Sequence, residues 1–577
     1  MKYFVVLSLL VPSAFGWYWQ AFIHGSADAK PWSARFTDIA STSGLSKPSI
    51  YGPVNSKNYI LETTGCGVAF VDFNNDGWLD ILVLGGTRFQ NPPKGPGNHL
   101  YRNDGKGHFT DVTESMGLTK TGWASSVTIG DFDNDGHEDL FLTYWGQNVL
   151  YRWTKGKYED VTRKAGLFTK EGHWSSGASF LDYDRDGKLD LFVTEYLVFD
   201  PAKIAKPSDA GHCNWKGVAV NCGPRGLPMG HHKLYHNKGN GEFEDVTEAS
   251  GVGKVQGVYG MSVAAADFDG DGWIDIYVAS DSTPSQLLMN QKDGTFLEQG
   301  LARGVAVSDD GVEQAGMGAA VGDFFREGRL SLFKTNFADD ASNLYRNLGK
   351  GFFADEVTKS GMAVETRFMN WGAGGEDFDN DGWPDIFFAG GNVFPEVERT
   401  LPNYPHKTPR ILFRGLGGGR FEQISASAGP ALAQRHSSRG VAFGDFDNDG
   451  DMDILIFNMN EAPSLLRNDL AAGGRHWMKV QLEGTESNRS AIGATVIATF
   501  EGRPLAKAVT SQESFYSVND RRLHFGLGSA EKADLQIHWP SGRVEKLAGL
   551  GADRLHFVRE GQGVTMSKSF QSQSEEH

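Results

Sequence analysis

The stretch Asp131–Trp145, DFDNDGHEDLFLTYW, decides how the chain reads. Five acidic side chains fall within its first nine residues, and an apolar run follows at once. Like charges at this density repel unless a cation sits among them. The spacing D-x-[DN]-x-D-G-x-x-D offers side-chain oxygens at positions 1, 3, 5 and 9 and a backbone carbonyl at position 7, with glycine at position 6 for a sharp turn. Calcium takes six to eight oxygens in irregular geometry, whereas magnesium demands a tighter octahedron. A donor set without Cys or His argues against zinc or copper. An EF-hand needs glutamate at position 12, but Leu142 stands there and the flanks read as strands.

Close copies occur elsewhere. Acidic loops begin at Asp72, Asp131, Asp182, Asp267, Asp323, Asp377 and Asp445, at intervals of 59, 51, 85, 56, 54 and 68 residues. The predicted metal ligands are Asp72, Asn74, Asp76 and Asp80; Asp131, Asp133, Asp135 and Asp139; Asp182, Asp184, Asp186 and Asp190; Asp267, Asp269, Asp271 and Asp275; Asp377, Asp379, Asp381 and Asp385; and Asp445, Asp447, Asp449 and Asp453. The loop at Asp323 has Phe325 at position 3 and Ser331 at position 9, so it is expected to be metal-free or very weak. Six calcium ions would offset most of the formal charge of −17, and folding should be coupled to them.

Two further elements repeat in step: NHLYRN at Asn98, echoed for example by SNLYRN at Ser342, and FTDVT at Phe109, echoed by FEDVT at Phe243. Each unit therefore reads as four short strands, with the acidic loop joining the first two. Four-stranded units in series suggest propeller blades. The seventh unit lacks a fourth strand, while RFTDIASTSGL (Arg35 to Leu45) matches HFTDVTESMGL (His108 to Leu118). The expectation is an all-β chain: a seven-bladed β-propeller over residues 32–470, its last blade closed by the N-terminal strand. A small β-sandwich-like domain of six strands follows over 475–561, with a polar, disordered tail over 562–577.

The acidic loops resemble FG-GAP repeats, also described as VCBS-type repeats, which form the calcium-bearing blades of integrin α-subunit propellers. NRSAIGATVIATF (Asn488 to Phe500) and RRLHFGLGSAEKADLQIHWPSGRVEKL (Arg521 to Leu547) resemble the ASPIC/UnbV domain. Together, and with CGPRGLP (Cys222 to Pro228), the chain is similar to bacterial secreted members of the cartilage acidic protein family. The resemblance implies extracellular, calcium-dependent binding or adhesion without an established catalytic activity. The EGF-like module of the animal proteins is missing, so their partners do not carry over.

The remaining features set bounds. MKYFVVLSLLVPSAFG has a lysine, an apolar core and small residues at Ala14 and Gly16, the layout of a signal peptide over 1–16. No stable membrane insertion is expected after its cleavage. The negative charge argues against nucleic acid. Cys213 and Cys222 close a ten-residue loop; a disulfide is expected, with zinc held beside His212, His231 and His232, or free thiols, as alternatives. Neither G-x-S-x-G nor H-E-x-x-H occurs. Strand direction puts the longer inserts on the face opposite the acidic loops, where Trp123, His173, Trp174, Trp371, Arg435 and His436 are candidate ligand contacts. The expected function is binding of an extracellular glycan or protein by a secreted or periplasmic protein. The alternative is an extracellular enzyme acting on a polymer from the insert-rich face.

Overall fold

The computed structural model describes residues 32–570 apart from 170, 365, 472 and 473. The expected signal segment lies outside the described residues. The chain is all-β and propeller-like. Among the described residues, seven four-stranded antiparallel sheets are built from the repeats, and two more four-stranded sheets follow. In the second repeat the strands are Ala124–Gly130, Asp139–Tyr144, Val149–Thr154 and Lys157–Asp160, in that order across the sheet. The first two are buried along their whole length, because sheets flank them on both faces. First strands pack on one another in chain order, and that of the seventh sheet, Ser438–Gly444, packs on that of the first, Val68–Val71.

The seventh sheet takes its outer strand from the N-terminus. Phe36–Asp38 pairs antiparallel with Ser464–Asn468, placing Phe36 opposite Asn468 and Asp38 opposite Leu466. Deleting residues 35–40 should therefore leave Ser464–Asn468 as an unpaired edge and drive aggregation, read by light scattering. A deleted chain that stays monomeric with an unchanged melting temperature would refute this role for the strand.

The final asparagine of the LYRN element latches neighbouring sheets. Asn237 Nδ2 donates to the Leu189 carbonyl of its own sheet and to the Phe132 carbonyl of the preceding one. Asn290 and Asn347 repeat the bridge to Tyr183 and Phe268. Asn103 extends it from the first sheet to Phe446 of the seventh.

Five residues before each acidic loop stands a very small residue: Gly67, Ser126, Gly177, Ser262, Gly318, Gly372 and Gly440. There the first strands converge, and in several sheets a bulge interrupts the pairing. The space is filled by residues 509–520 (VTSQESFYSVND) of the C-terminal domain. Val518 exchanges backbone hydrogen bonds with Val68 and Phe70, while the amides of Val127, Ile129 and Ala319 donate to Tyr516, Ser511 and Ser514. A Cβ on Gly67 would collide with the Tyr516 carbonyl, so this position admits only glycine. The segment plugs the space between the first strands.

The C-terminal domain has eight strands rather than six. One sheet joins Leu523–Gly528, His476–Glu483, Arg554–Arg559 and Gly563–Lys568; the other joins Arg503–Ala508, Thr495–Phe500, Lys532–His538 and Val544–Gly551. Their inner faces share one apolar core, including Met478, Val480, Phe525, Val496 and Leu535, consistent with a sandwich. The two unexpected strands, Val544–Gly551 and Gly563–Lys568, are edge strands with no buried residue, so no apolar alternation announced them. The polar tail expected from Gln562 is thus a strand over 563–568. Asn488, formally a glycosylation acceptor, is fully buried and bonds both ways with the Ile492 backbone.

Candidate metal centres and the opposite mouth

Each acidic loop is a turn of fixed geometry. In the second repeat, position 4 (Asn134, φ 56°) and position 6 (Gly136, φ 92°) are left-handed, which suits asparagine and glycine. Asp131 at position 1 accepts the amides of Asp135 and Gly136 at 2.9 and 2.7 Å. Asp139 at position 9 accepts that of Trp153 at 2.7 Å, tying the loop to the third strand.

In at least four of the loops three of the carboxylates come together. Ligating oxygens lie within 4.8 Å of one another in Asp131–Asp133–Asp139, Asp182–Asp184–Asp190, Asp267–Asp269–Asp271 and Asp377–Asp379–Asp385. These clusters could hold metal ions, and their chemistry calls for a cation. Asp133 Oδ1, Asp379 Oδ1 and Asp447 Oδ1 are buried without a hydrogen-bond partner among the described residues. Burial, with the neighbouring aspartates, pushes Asp139 up to about 9, Asp182 to about 8 and Asp447 to about 8. A divalent ion relieves that repulsion where protons otherwise would. The donor set is all oxygen and fits a hard ion.

A basic residue missed by the sequence reading stands across each of several loops. It is the penultimate residue of the LYRN element. Arg152 lies 2.5 Å from Asp133, Arg414 lies 2.6 Å from Asp381, and His236 lies 3.1 Å from Asp190 and 3.3 Å from Asp184. His236 is held above the usual imidazole range, chiefly by its bond to Asp190. The signal was the recurrent Arg itself.

The loop at Asp323 is closed differently. Phe325 is buried under the Arg346 guanidinium, which also pairs with Glu327. Ser331 takes over the position-9 task by accepting the Asn347 amide at 3.1 Å. An arginine thus supplies the positive charge there.

The C-terminal domain sits on this acidic face. Lys479 reaches Asp445 at 3.0 Å, both side chains fully buried, and Arg475 reaches Asp379 at 2.7 Å. Ser490 Oγ accepts the Asp131 amide, the Ala506 amide donates to Asp323, and His524 bonds Asn380.

The opposite mouth corrects the ligand-contact reading. Trp123, Trp174 and Trp371 are buried at 3%, 0% and 2% exposure, so none is a surface anchor; Trp123 and Trp174 are core residues, and Trp371 keeps an edge on the mouth cavity. Trp174 and Trp371 lie within the first strands His173–Leu181 and Asn370–Glu376, which turn inward immediately. Trp174 donates to Ser125 Oγ, and Trp371 packs edge-on against Phe515 of the plug. His173 and His436 are half-buried and paired with Glu195 and Glu461; Arg435 is exposed. What this mouth does hold is a cavity of about 310 Å³, roofed by the insert. Cys213 and Cys222 are disulfide-bonded, which settles the insert's alternatives, and Cys66 is a buried thiol.

Residues 72–142, 131–193, 226–278, 267–333 and 377–456 match the FG-GAP-like repeat, and 484–565 match the ASPIC and UnbV domain. Cartilage acidic protein 1 of Xenopus tropicalis is 24% identical over 513 residues, covering 83% of this chain and 70% of the relative. That of Homo sapiens is 24% identical over 508 residues, covering 83% and 69%. Among solved structures the chain is similar to one described as specific recognition of non-reducing terminal N-acetylglucosamine by an Agrocybe aegerita lectin, with TM-score 0.37 and 16% identity, covering 78% of this chain and 95% of that one.

Proposed function

The chain belongs to the FG-GAP-like repeat family and ends in an ASPIC and UnbV domain, and on that premise we propose an extracellular binding or adhesion protein, with seven blades closed into a ring and calcium in six loops. The reading of closure is supported by the packing of the seventh inner strand on the first and by the Asn103–Phe446 latch. Extracellular location is supported by the disulfide and by the kinship with cartilage acidic protein 1. No helix among the described residues is long and apolar enough to cross a membrane.

One observation carries the division of labour: several carboxylate clusters are buried and are contacted by lysine and arginine of the C-terminal domain, whereas the opposite mouth holds a cavity lined by aromatic rings. Asp131, Asp133, Asp135 and Asp139 would hold one ion, and the corresponding residues of five other loops would hold the rest. Each ion supplies charge balance and ties the first turn of its blade. Recognition of a glycan or protein falls to the other face.

Native mass spectrometry should count six calcium ions; seven would overturn the reading of the Asp323 loop. Immobilised glycan and extracellular-protein arrays, with product analysis, should show retention without turnover, whereas polymer cleavage would replace adhesion with catalysis. Asp133→Ala should lower the melting temperature first, and binding should disappear only as the protein unfolds. Folded Asp133→Ala protein that fails to bind would move the site to the acidic face.

A further inference from the structure

We propose that the mouth cavity beneath the Cys213–Pro224 strap is a saccharide site that takes a single sugar residue, an assignment that rests on the reading of the chain as a binding protein. Its volume of about 310 Å³ sits at the low end of small-molecule sites, roughly 300–1,000 Å³. That suits one ring rather than a folded protein surface. The cavity is lined by Trp215, Phe337, Phe394 and Trp371 on its apolar side and by Asp281 and Asn221 on its polar side.

A sugar ring presents a C–H face and a belt of hydroxyls, each both donor and acceptor. Its site therefore needs an aromatic surface together with a fixed acceptor and a fixed donor. Asp281, 6% exposed, supplies the acceptor: Tyr196 Oη donates to its Oδ2 at 2.6 Å and Ser282 Oγ to its Oδ1 at 2.9 Å, and each oxygen keeps a lone pair. Asn221, 4% exposed, supplies the donor: its Nδ2 is buried without a hydrogen-bond partner among the described residues. An amide left unpaired in the interior costs about 1–3 kcal/mol, and a ligand hydroxyl would remove that cost.

Charge narrows the class. Arg225 also lines the cavity and Arg439 lies over the Trp371 ring at 4.2 Å, so an amine ligand would meet positive charge. An anionic ligand would meet the Asp281 carboxylate. A neutral polyhydroxylated ligand satisfies both. The site is also held in place. Trp215 packs against Phe394 and Tyr404 at 5.9 and 5.0 Å, and the disulfide ties the strap that carries it.

The test uses the full calcium-loaded chain. Its tryptophan fluorescence is titrated with methyl glycosides of neutral hexoses and N-acetylhexosamines, beside Asn221→Ala and Asp281→Asn. At least one glycoside should give a saturable change in the native protein, and both variants should bind it at least about tenfold more weakly. Asn221→Ala should melt unchanged or slightly higher, because its Nδ2 has no bond to lose. Two results overturn the assignment: no glycoside saturates, or the variants bind as the native protein does. Array retention of the native protein, read in parallel, then says whether the broader binding reading survives without this cavity.

Discussion

In excess chelator the protein should melt at least about 10 °C lower than in calcium, and calcium rather than magnesium should restore it. A single ion at one hundred times its dissociation constant stabilises by about 2.7 kcal/mol, and six loops are at stake. The aspartates of each loop are close enough to repel, and several are buried beyond the reach of water: Asp139, Asp190, Asp385 and Asp453 are all fully covered. Arg152, Arg414 and Lys479 lie against individual loops, but each brings one positive charge to several negative ones. Calcium's tolerance of irregular geometry suits loops whose third position is Asn74 in one copy and Asp in others. An unchanged melting curve in chelator would mean that the carboxylates are stabilised by protons and arginines alone.

A chain ended after residue 470 should fail to give a stable monomer. It keeps every acidic loop, yet it loses the plug and the lid over the loops. The buried amides of Phe70, Val127, Ile129 and Ala319 lose their acceptors, and the apolar cluster that joins Phe180 and Leu191 to Ile492 and Trp539 is opened. Asp445 loses Lys479, and Asp379 loses Arg475 though it keeps Arg414 at 3.4 Å; breaking one buried pair costs roughly 3–5 kcal/mol. Size-exclusion chromatography and dye binding would read the result. A truncated chain that elutes as a monomer and melts at the native temperature would show that the propeller-like sheets stand alone.

Much of the architecture was legible because it repeats. The acidic loops, the strand order of each unit and the pairing of RFTDIA with the last sheet follow from copies that can be compared within one chain. The Cys213–Cys222 link was legible from spacing and the expected compartment. What escaped depended on distant neighbours. Trp174 and Trp371 follow long connections and were read as surface aromatics, but their strands enter the core at the first residue. VTSQESFYSVND has the polarity of a solvent loop; its burial is decided by Gly67, Gly318 and other small residues hundreds of positions away. The cavity was invisible for the same reason, since Asn221, Asp281 and Phe394 belong to three separate connections.

The plug has a consequence for how the molecule is made. Val68 and Ser517, which bond at 3.2 Å, are separated by 449 residues, and Phe36 waits for Asn468 across nearly the whole chain. Neither contact can form until most of the polypeptide has left the ribosome or an export channel. Individual hairpins can assemble early, since their strands are neighbours in sequence. The plug and the pairing of the two chain ends cannot, and contacts of such long range are slow to form. Maturation is therefore a single late event that depends on both ends of the chain at once. A nonsense codon between residues 470 and 509 would spare all seven acidic loops and still leave a product without the segment that fills the space between their strands.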